Sequence, residues 1–203
     1  KDADGLLKEL EVFAEENSVP IVHKEVSDLL KVLLKMQKPQ RILEVGCAIG
    51  YSSILFATTC EDNVDITTCE RNPVMIERAK ENIKRAGFEN NIRILEGDAV
   101  EQLKNVEGEF DMIFLDAAKG QYKLFYDLVI DKLKVGGVLI SDNILYKGMI
   151  ASDDLVVRRK KTIVKRMRNY LDYICNCEYL STSLIPIGDG VALSYKEKER
   201  GAE

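Results

Sequence analysis

The chain has 203 residues, 46% hydrophobic and 31% charged, a length and balance suited to one globular domain with its own core. Its net charge of -5 argues against coating nucleic acid through an overall field but leaves a local basic patch open. No run of about 18 apolar residues occurs, which excludes a transmembrane helix, and five cysteines without paired spacing beside a single histidine, His23, argue against a disulfide framework or a zinc site.

In chain order, the spacing predicts helices over residues 2–17 and 21–36, separated by Ser18-Val19-Pro20. In the second, Val22, Val26, Leu29, Leu30, Leu33 and Leu34 recur at helical spacing. The charged start KDADGLLKEL has no signal-peptide core, so the expected compartment is the cytoplasm. After Pro39, RILEVG reads as a buried strand of the kind parallel sheets use. A glycine turn follows, then a helix over SSILFATTC and a strand over VDITTCE. Asn72-Pro73 signals a capped helix start, with Ile76, Ala79, Ile83 and Ala86 on one face and Gly87 placed to end it. NIRILEGD and FDMIFLD are strands, QYKLFYDLVIDKL a helix and VGGVLISDN a further strand. STSLIPI and VALSYK, joined by Gly188-Asp189-Gly190, predict an antiparallel hairpin at one edge of the sheet, and KEKERGAE a solvated tail. Alternation at this pitch means a parallel α/β sheet.

In such sheets ligands sit beyond the carboxyl ends of the strands. Glu44 and Gly46, Glu70, Asp98, Asp116, and Asp142 with Asn143 all fall at those ends. A dinucleotide is the first candidate, with Glu70 on the ribose roughly 20 residues past the turn. The turn reads G-C-A-I-G-Y, however, and lacks the middle glycine that lets pyrophosphate approach the backbone. No phosphate-binding lysine follows, so a Walker loop fails as well. A ligand with ribose but no phosphate fits better, and S-adenosylmethionine is one: its carboxylate suits the Ser52 hydroxyl and the helix N-terminal amides.

The ordered set E-V-G-C-A-I-G-Y-S, C-E-R-N-P, E-G-D-A, F-L-D-A-A-K and S-D-N resembles the class I S-adenosylmethionine-dependent O-methyltransferases of the cation-dependent, catechol and caffeoyl-CoA type. The resemblance runs from about Pro20 to Lys196. It implies a Rossmann-like class I methyltransferase fold: α/β, with a mostly parallel seven-stranded sheet, helices on both faces and a C-terminal antiparallel hairpin. One domain would span residues 1–203, with N-terminal helices over 1–38, the core over 39–196 and a tail over 197–203. It also implies cofactor contacts at Val22, Glu44, Gly46, Cys47, Tyr51, Ser52, Glu70, Asp98, Ala99 and Asp116, and a homodimer.

Asp116 ends one strand and Asp142-Asn143 the next, about 4.8 Å away, so three oxygen donors can converge on a hard cation. In the resembling family these positions hold Mg²⁺, for which Mn²⁺ or Ca²⁺ could substitute. Lys119, three residues past Asp116, matches the lysine that helps deprotonate the attacking hydroxyl in the catechol enzymes. The implied catalytic pair is Lys119 and Asp116.

RRKKTIVKRMR, residues 158–168, holds seven basic residues and no acid. Ile163, Met167, Tyr170, Leu171 and Ile174 form the apolar stripe of its helix, while Arg158, Lys161, Lys165 and Arg168 recur on an exposed face. A CoA thioester or RNA would use such a patch, and a solvated helix face is the alternative. With V-P-I-V-H-K-E-V and I-P-I-G-D-G, the whole chain is similar to bacterial tRNA 5-hydroxyuridine methyltransferases. That likeness implies a tRNA anticodon partner, held by Arg158, Arg159, Lys161, Lys165 and Arg168, and formation of 5-methoxyuridine at the wobble position. A small vicinal-diol aromatic is the alternative acceptor, and no membrane partner is expected. A non-catalytic S-adenosylmethionine- or RNA-binding module is the alternative of another class.

Overall fold

Arg41–Val45 (β1), Asp65–Glu70 (β2) and Ile92–Glu96 (β3) are parallel strands in the order β3-β2-β1. Most of β1 and β2 is sealed from solvent, as expected where strands are covered on both faces and side-chain alternation between core and water disappears. In register, Val45 lies beside Cys69, and Glu70 beside Glu96, so the three carboxyl ends finish level with one another. The computed structural model describes residues 3–61 and 63–202. The chain forms two compact units that divide between Gln102 and Leu103.

The first unit adds helices Ala3–Asn17 (α1), Lys24–Gln37 (α2), Tyr51–Thr59 (α3) and Pro73–Ala86 (α4). The α1 stripe of Leu6, Leu7, Leu10 and Ala14 is buried at helical spacing. Two contacts fasten α1 to α4: Arg85 donates to Glu9 at 2.6 Å, and the Arg78 guanidinium lies 4.7 Å from the Phe13 ring centre. Helix α4 begins as its sequence reads, with Asn72 accepting from the Val74 amide, and ends at Gly87 in the left-handed region. Helix α2 begins later than its apolar periodicity predicts. Ile21 and Val22 are β-branched and lie outside the helix, so Val22 is buried ahead of it rather than on its stripe.

A short helix, Ala99–Lys104 (α5), is not foreshadowed by the sequence; at six residues with one buried side chain it leaves no periodic signal. The second unit contains Phe110–Leu115 (β4), Tyr122–Val129 (α6), Leu133–Asp142 (β5), Lys161–Cys175 (α7), Leu180–Ile185 (β6) and Val191–Lys196 (β7). Its strand order is β4-β5-β7-β6, with β4 and β5 parallel and the β6–β7 hairpin added antiparallel to β5. The helix predicted over 121–133 ends at Val129 and tightens into a 3₁₀ turn at Ile130–Lys132. Residues 158–160 are likewise a 3₁₀ turn, and Val164, rather than Ile163, joins Met167, Tyr170, Leu171 and Ile174 in the buried face of α7.

Parallel pairing sets Leu115 beside Ser141, so the residues that follow them, Asp116 and Asp142, leave neighbouring strand ends together. Past β5, residues 143–148 contain a cluster of left-handed residues: Asn143, Tyr146, Lys147 and Gly148. The hairpin turn pins this segment: Ile144 donates to the Gly190 carbonyl, Leu145 to the Asp189 carbonyl, and the Lys147 amide to the Asp189 carboxylate at 2.6 Å. A side chain at Gly190 would meet Leu145 Cγ at 2.4 Å, so only glycine allows this approach.

Candidate active site

The first unit ends its strands around a tight turn. Gly46, Ala48 and Gly50 all have positive φ, at 97°, 46° and 86°. Two glycines accept this freely; Ala48 does so at a cost of about 1 kcal/mol. What holds Ala48 there is Glu70, whose Oε2 accepts the Ala48 amide at 3.0 Å. The other oxygen of Glu70 accepts the Arg71 and Asn72 amides at 2.9 Å each. Three backbone donors thus fix one carboxylate at the end of β2. A carboxylate has about four acceptor sites, so Oε2 retains one for a further donor such as a hydroxyl.

Helix α3 starts at Gly50 with no side-chain cap, leaving its first-turn amides and positive dipole end to an anion. Ser52 sits buried in that first turn. Asp98 caps α5, accepting the Val100 amide at 2.9 Å, and is exposed, with Ala99 half-buried next to it. Gly97 donates to the Glu70 carbonyl at 2.8 Å and so joins the ends of β2 and β3.

Three of the expected cofactor contacts have side chains that are buried and engaged within the protein. Glu44 has no exposure and accepts a hydrogen bond from Ser53, so its side chain supports the turn from beneath. An acid inside a buried strand requires such a donor. Tyr51 turns its phenol away to Glu11 at 2.6 Å and Ser27 at 3.3 Å, tying α1 and α2 to the start of α3. Burial and the Glu11 bond hold that phenol above its ordinary pKa. Cys47 is buried too, and desolvation with the Glu44 charge keeps its thiol protonated. Glu11, Ser27 and Ser53 carry no sequence signal for these roles, because each acts from a helix position outside any motif's own ligand set.

In the second unit, Asp116, Lys119, Asp142 and Asn143 come together. Asn143 Nδ2 donates to Asp116 Oδ1 at 3.1 Å, and Lys119 Nζ lies 3.4 Å from the same oxygen. Asp142 is fully buried; Oδ1 accepts the Asn143 amide at 2.6 Å, while Oδ2 has no hydrogen-bond partner. Burial, then the Asp116 charge, push the Asp142 carboxyl from 3.8 up to about 7. A buried, orphaned carboxylate oxygen near a second carboxylate is costly alone and favourable beside a cation. Asp116, Asp142 and Asn143, all oxygen donors, therefore fit a hard divalent ion. Among the described residues no cluster of three or more His, Cys, Asp and Glu occurs, so an amide oxygen has to serve as the third donor.

Tyr122, fully buried at the start of α6, is a further site residue that no motif marks. Its hydroxyl donates to the Leu115 carbonyl (3.1 Å) and the Asp142 carbonyl (2.8 Å) and spans the two strand ends that carry the carboxylates.

Of the basic residues, Arg158, Arg159, Lys161, Lys165 and Arg166 are exposed and make no ion pair among the described residues. Lys160 lies 5.7 Å from the Tyr146 ring centre. Arg168 differs from the other basic residues in being held by the protein itself. Its Nε and Nη2 donate to the Ile150 and Met149 carbonyls at 3.0 and 3.1 Å, and Nη1 pairs with Asp153 at 2.7 Å.

Comparison with known proteins agrees with this geometry. The profile of a family described as O-methyltransferase matches residues 2–197. A caffeoyl-CoA O-methyltransferase of Populus kitakamiensis is 31% identical over 186 residues, covering 87% of this chain and 77% of that protein. A crystal structure from Staphylococcus aureus, provisionally described as a caffeoyl-CoA O-methyltransferase, is 42% identical with a TM-score of 0.89, covering 94% of this chain and 91% of that one. The SAH-bound methyltransferase PaMTH1 of Podospora anserina is 25% identical with a TM-score of 0.86, covering 98% and 89%.

Proposed function

The chain belongs to the O-methyltransferase family, and from that premise we propose that it methylates 5-hydroxyuridine at the tRNA wobble position, using S-adenosylmethionine and Mg²⁺. The observation that carries the acceptor is the basic surface at the start of α7, where five cations have no acidic partner among the described residues. Phosphates are the natural counter-charge for such a surface in a chain of net charge -5. 5-Hydroxyuridine presents O5 beside O4, a vicinal oxygen pair of the kind a catechol offers. A pocket suffices to read one unstacked base. The same reading places the protein in the cytoplasm, as a homodimer.

S-Adenosylmethionine supplies an electrophilic methyl group on sulfonium, and a bound divalent ion favours the ionised form of the acceptor oxygen. Glu70, fixed by three amides, takes the ribose hydroxyls, and the uncapped start of α3 with Ser52 takes the amino-acid carboxylate. Asp116, Asp142 and Asn143 would hold such a cation at the end of β4 and β5, beside the acceptor hydroxyl. Lys119 stands beside them and, as the neutral amine, would accept the acceptor's proton. What these residues would supply to methyl transfer is alignment of donor and acceptor more than covalent help.

Tyr122→Phe tests the positioning of the carboxylates. It leaves two buried carbonyls without their shared donor, at about 1–3 kcal/mol of stability. The variant is expected to need roughly tenfold more Mg²⁺ for half-maximal thermal stabilisation, while its S-adenosylmethionine affinity by calorimetry stays that of the wild type.

A second reading is a caffeoyl-CoA-type enzyme, favoured by the relatives named above. Labelled S-adenosylmethionine with tRNA bearing 5-hydroxyuridine, unmodified tRNA, caffeoyl-CoA and caffeate separates the two. Transfer to hydroxylated tRNA alone is expected, abolished by EDTA. Transfer to caffeoyl-CoA with none to tRNA would overturn the tRNA assignment, and activity indifferent to EDTA would overturn the metal.

A further inference from the structure

A cleft of about 410 Å³ opens along the start of α7, lined by Lys161, Lys165, Arg168 and Asn169 on one side and by Asp153 and Val156 on the other. Positions 161, 165 and 168 fall on one helical face, so three cationic side chains look into one space. Lys161 and Lys165 have no hydrogen-bonded or charged partner among the described residues, and the N-terminal dipole of a 15-residue helix adds to their field. Only one anion lines the cleft with these three cations, the Asp153 carboxylate on Arg168 Nη1 at 2.7 Å. Asp153 itself is exposed and stands on a 3₁₀ turn of three residues, capped by the Ser152 side chain. Arg168 does not depend on Asp153 for its place, since the Met149 and Ile150 carbonyls accept from its other nitrogens. One carboxylate against three cations leaves an excess that a phosphate fits in charge and in number of acceptor oxygens.

We infer that this cleft is a phosphate-binding site in which Asp153 is a resident counter-ion, displaced from Arg168 when a phosphate of the acceptor enters. Lys161 and Lys165 supply point charges, and Arg168, kept in place by the two carbonyls, presents Nη1 with the geometry an oxyanion needs. The exchange frees the Asp153–Leu155 turn from α7, so acceptor binding loosens the segment that follows the Asn143 strand end. The inference deepens the proposed function and rests on its phosphate-bearing acceptor; the phosphate could belong to an RNA backbone or to a CoA group.

The test uses the full chain, with inorganic pyrophosphate, a tRNA transcript and caffeoyl-CoA as separate probes. In the Lys161→Gln, Lys165→Gln double variant, pyrophosphate binding by calorimetry is expected to weaken at least about tenfold. The slope of log affinity for tRNA against log salt should fall by about 1.4–1.8. Asp153→Asn, which removes the competitor, is expected to tighten pyrophosphate binding about threefold or more. Loss in the tRNA arm alone identifies RNA as the source, loss in the caffeoyl-CoA arm alone identifies the CoA phosphates, and either supports the site. Unchanged affinity for all three probes in both variants would overturn it. If the wild type methylates no tRNA while pyrophosphate binding still responds to both variants, the tRNA reading fails and the cleft stands.

Discussion

Asp142→Asn gives a protein with methyl transfer lowered on the order of 10³-fold, yet with a higher melting temperature than the wild type in EDTA at pH 8. Both effects have one origin. Burial, and then the neighbouring Asp116, raise the Asp142 carboxyl from 3.8 to about 7. The folded state therefore holds this proton to a higher pH than the unfolded chain does. Stability contributed by the neutral form is complete below pH 3.8 and is lost as the pH rises to about 7. An asparagine stays neutral throughout, still accepts the Asn143 amide and can turn its own donor toward Asp116. The gain above pH 7 is about 2–4 kcal/mol, because each tenfold difference in proton affinity between folded and unfolded chain is worth about 1.4 kcal/mol. Divalent ion should raise the melting temperature of the wild type and leave that of the variant unmoved. A variant that is less stable in EDTA, or that still responds to Mg²⁺, would remove Asp142 from the cation site.

Glu70→Ala is expected to weaken S-adenosylmethionine binding roughly 100-fold by calorimetry, since hydrogen bonds to a charged group are worth about 1.5–3 kcal/mol. Part of that loss is indirect. Without Oε2, the Ala48 amide loses its acceptor, and the left-handed residue at the centre of the turn is free to relax. Ala48→Gly removes the steric penalty, about 1 kcal/mol. In the Glu70→Ala background it should recover several-fold in affinity, while in the wild type it should do little. Equal effects of Ala48→Gly in both backgrounds would show that Glu70 acts on the ligand and not on the turn.

The elements that carry the site were legible because their signals are local. Apolar runs ending in an acid gave β1, β2 and β4, and Asn72-Pro73 with Gly87 bracketed α4 to the residue. Asp116, Asp142 and Asn143 came together because parallel register in adjacent strands forces it. Contacts made across long sequence separations could not be read this way. Tyr51 carries the motif's aromatic, but its phenol is engaged by residues 40 and 24 positions away. The burial of Glu44 is not legible either, because an acid at a strand end is ordinarily exposed; Ser53, in the first turn of α3, makes it tolerable. Arg168 shares a charge run with its neighbours, and nothing in that run distinguishes the one cation bound by backbone carbonyls. Lys196 reads as the solvent-facing end of a strand, yet it is buried, with its ammonium on the Ile130 and Leu133 carbonyls and Glu199.

The hairpin turn that pins residues 144–147 sets a timetable for synthesis. Ser52, Glu70 and the turn around Ala48 all lie in the unit that ends at residue 102, and all are synthesised before the cation-site residues. The strand end of the cation-site carboxylates is fastened by Asp189 and Gly190, and β5 finds its antiparallel neighbour only when Val191–Lys196 has emerged. At about 5–20 residues per second, several seconds separate the two events. A truncation just before β7 would keep Asp116, Asp142 and Asn143 yet remove the strand that pairs with the end of β5.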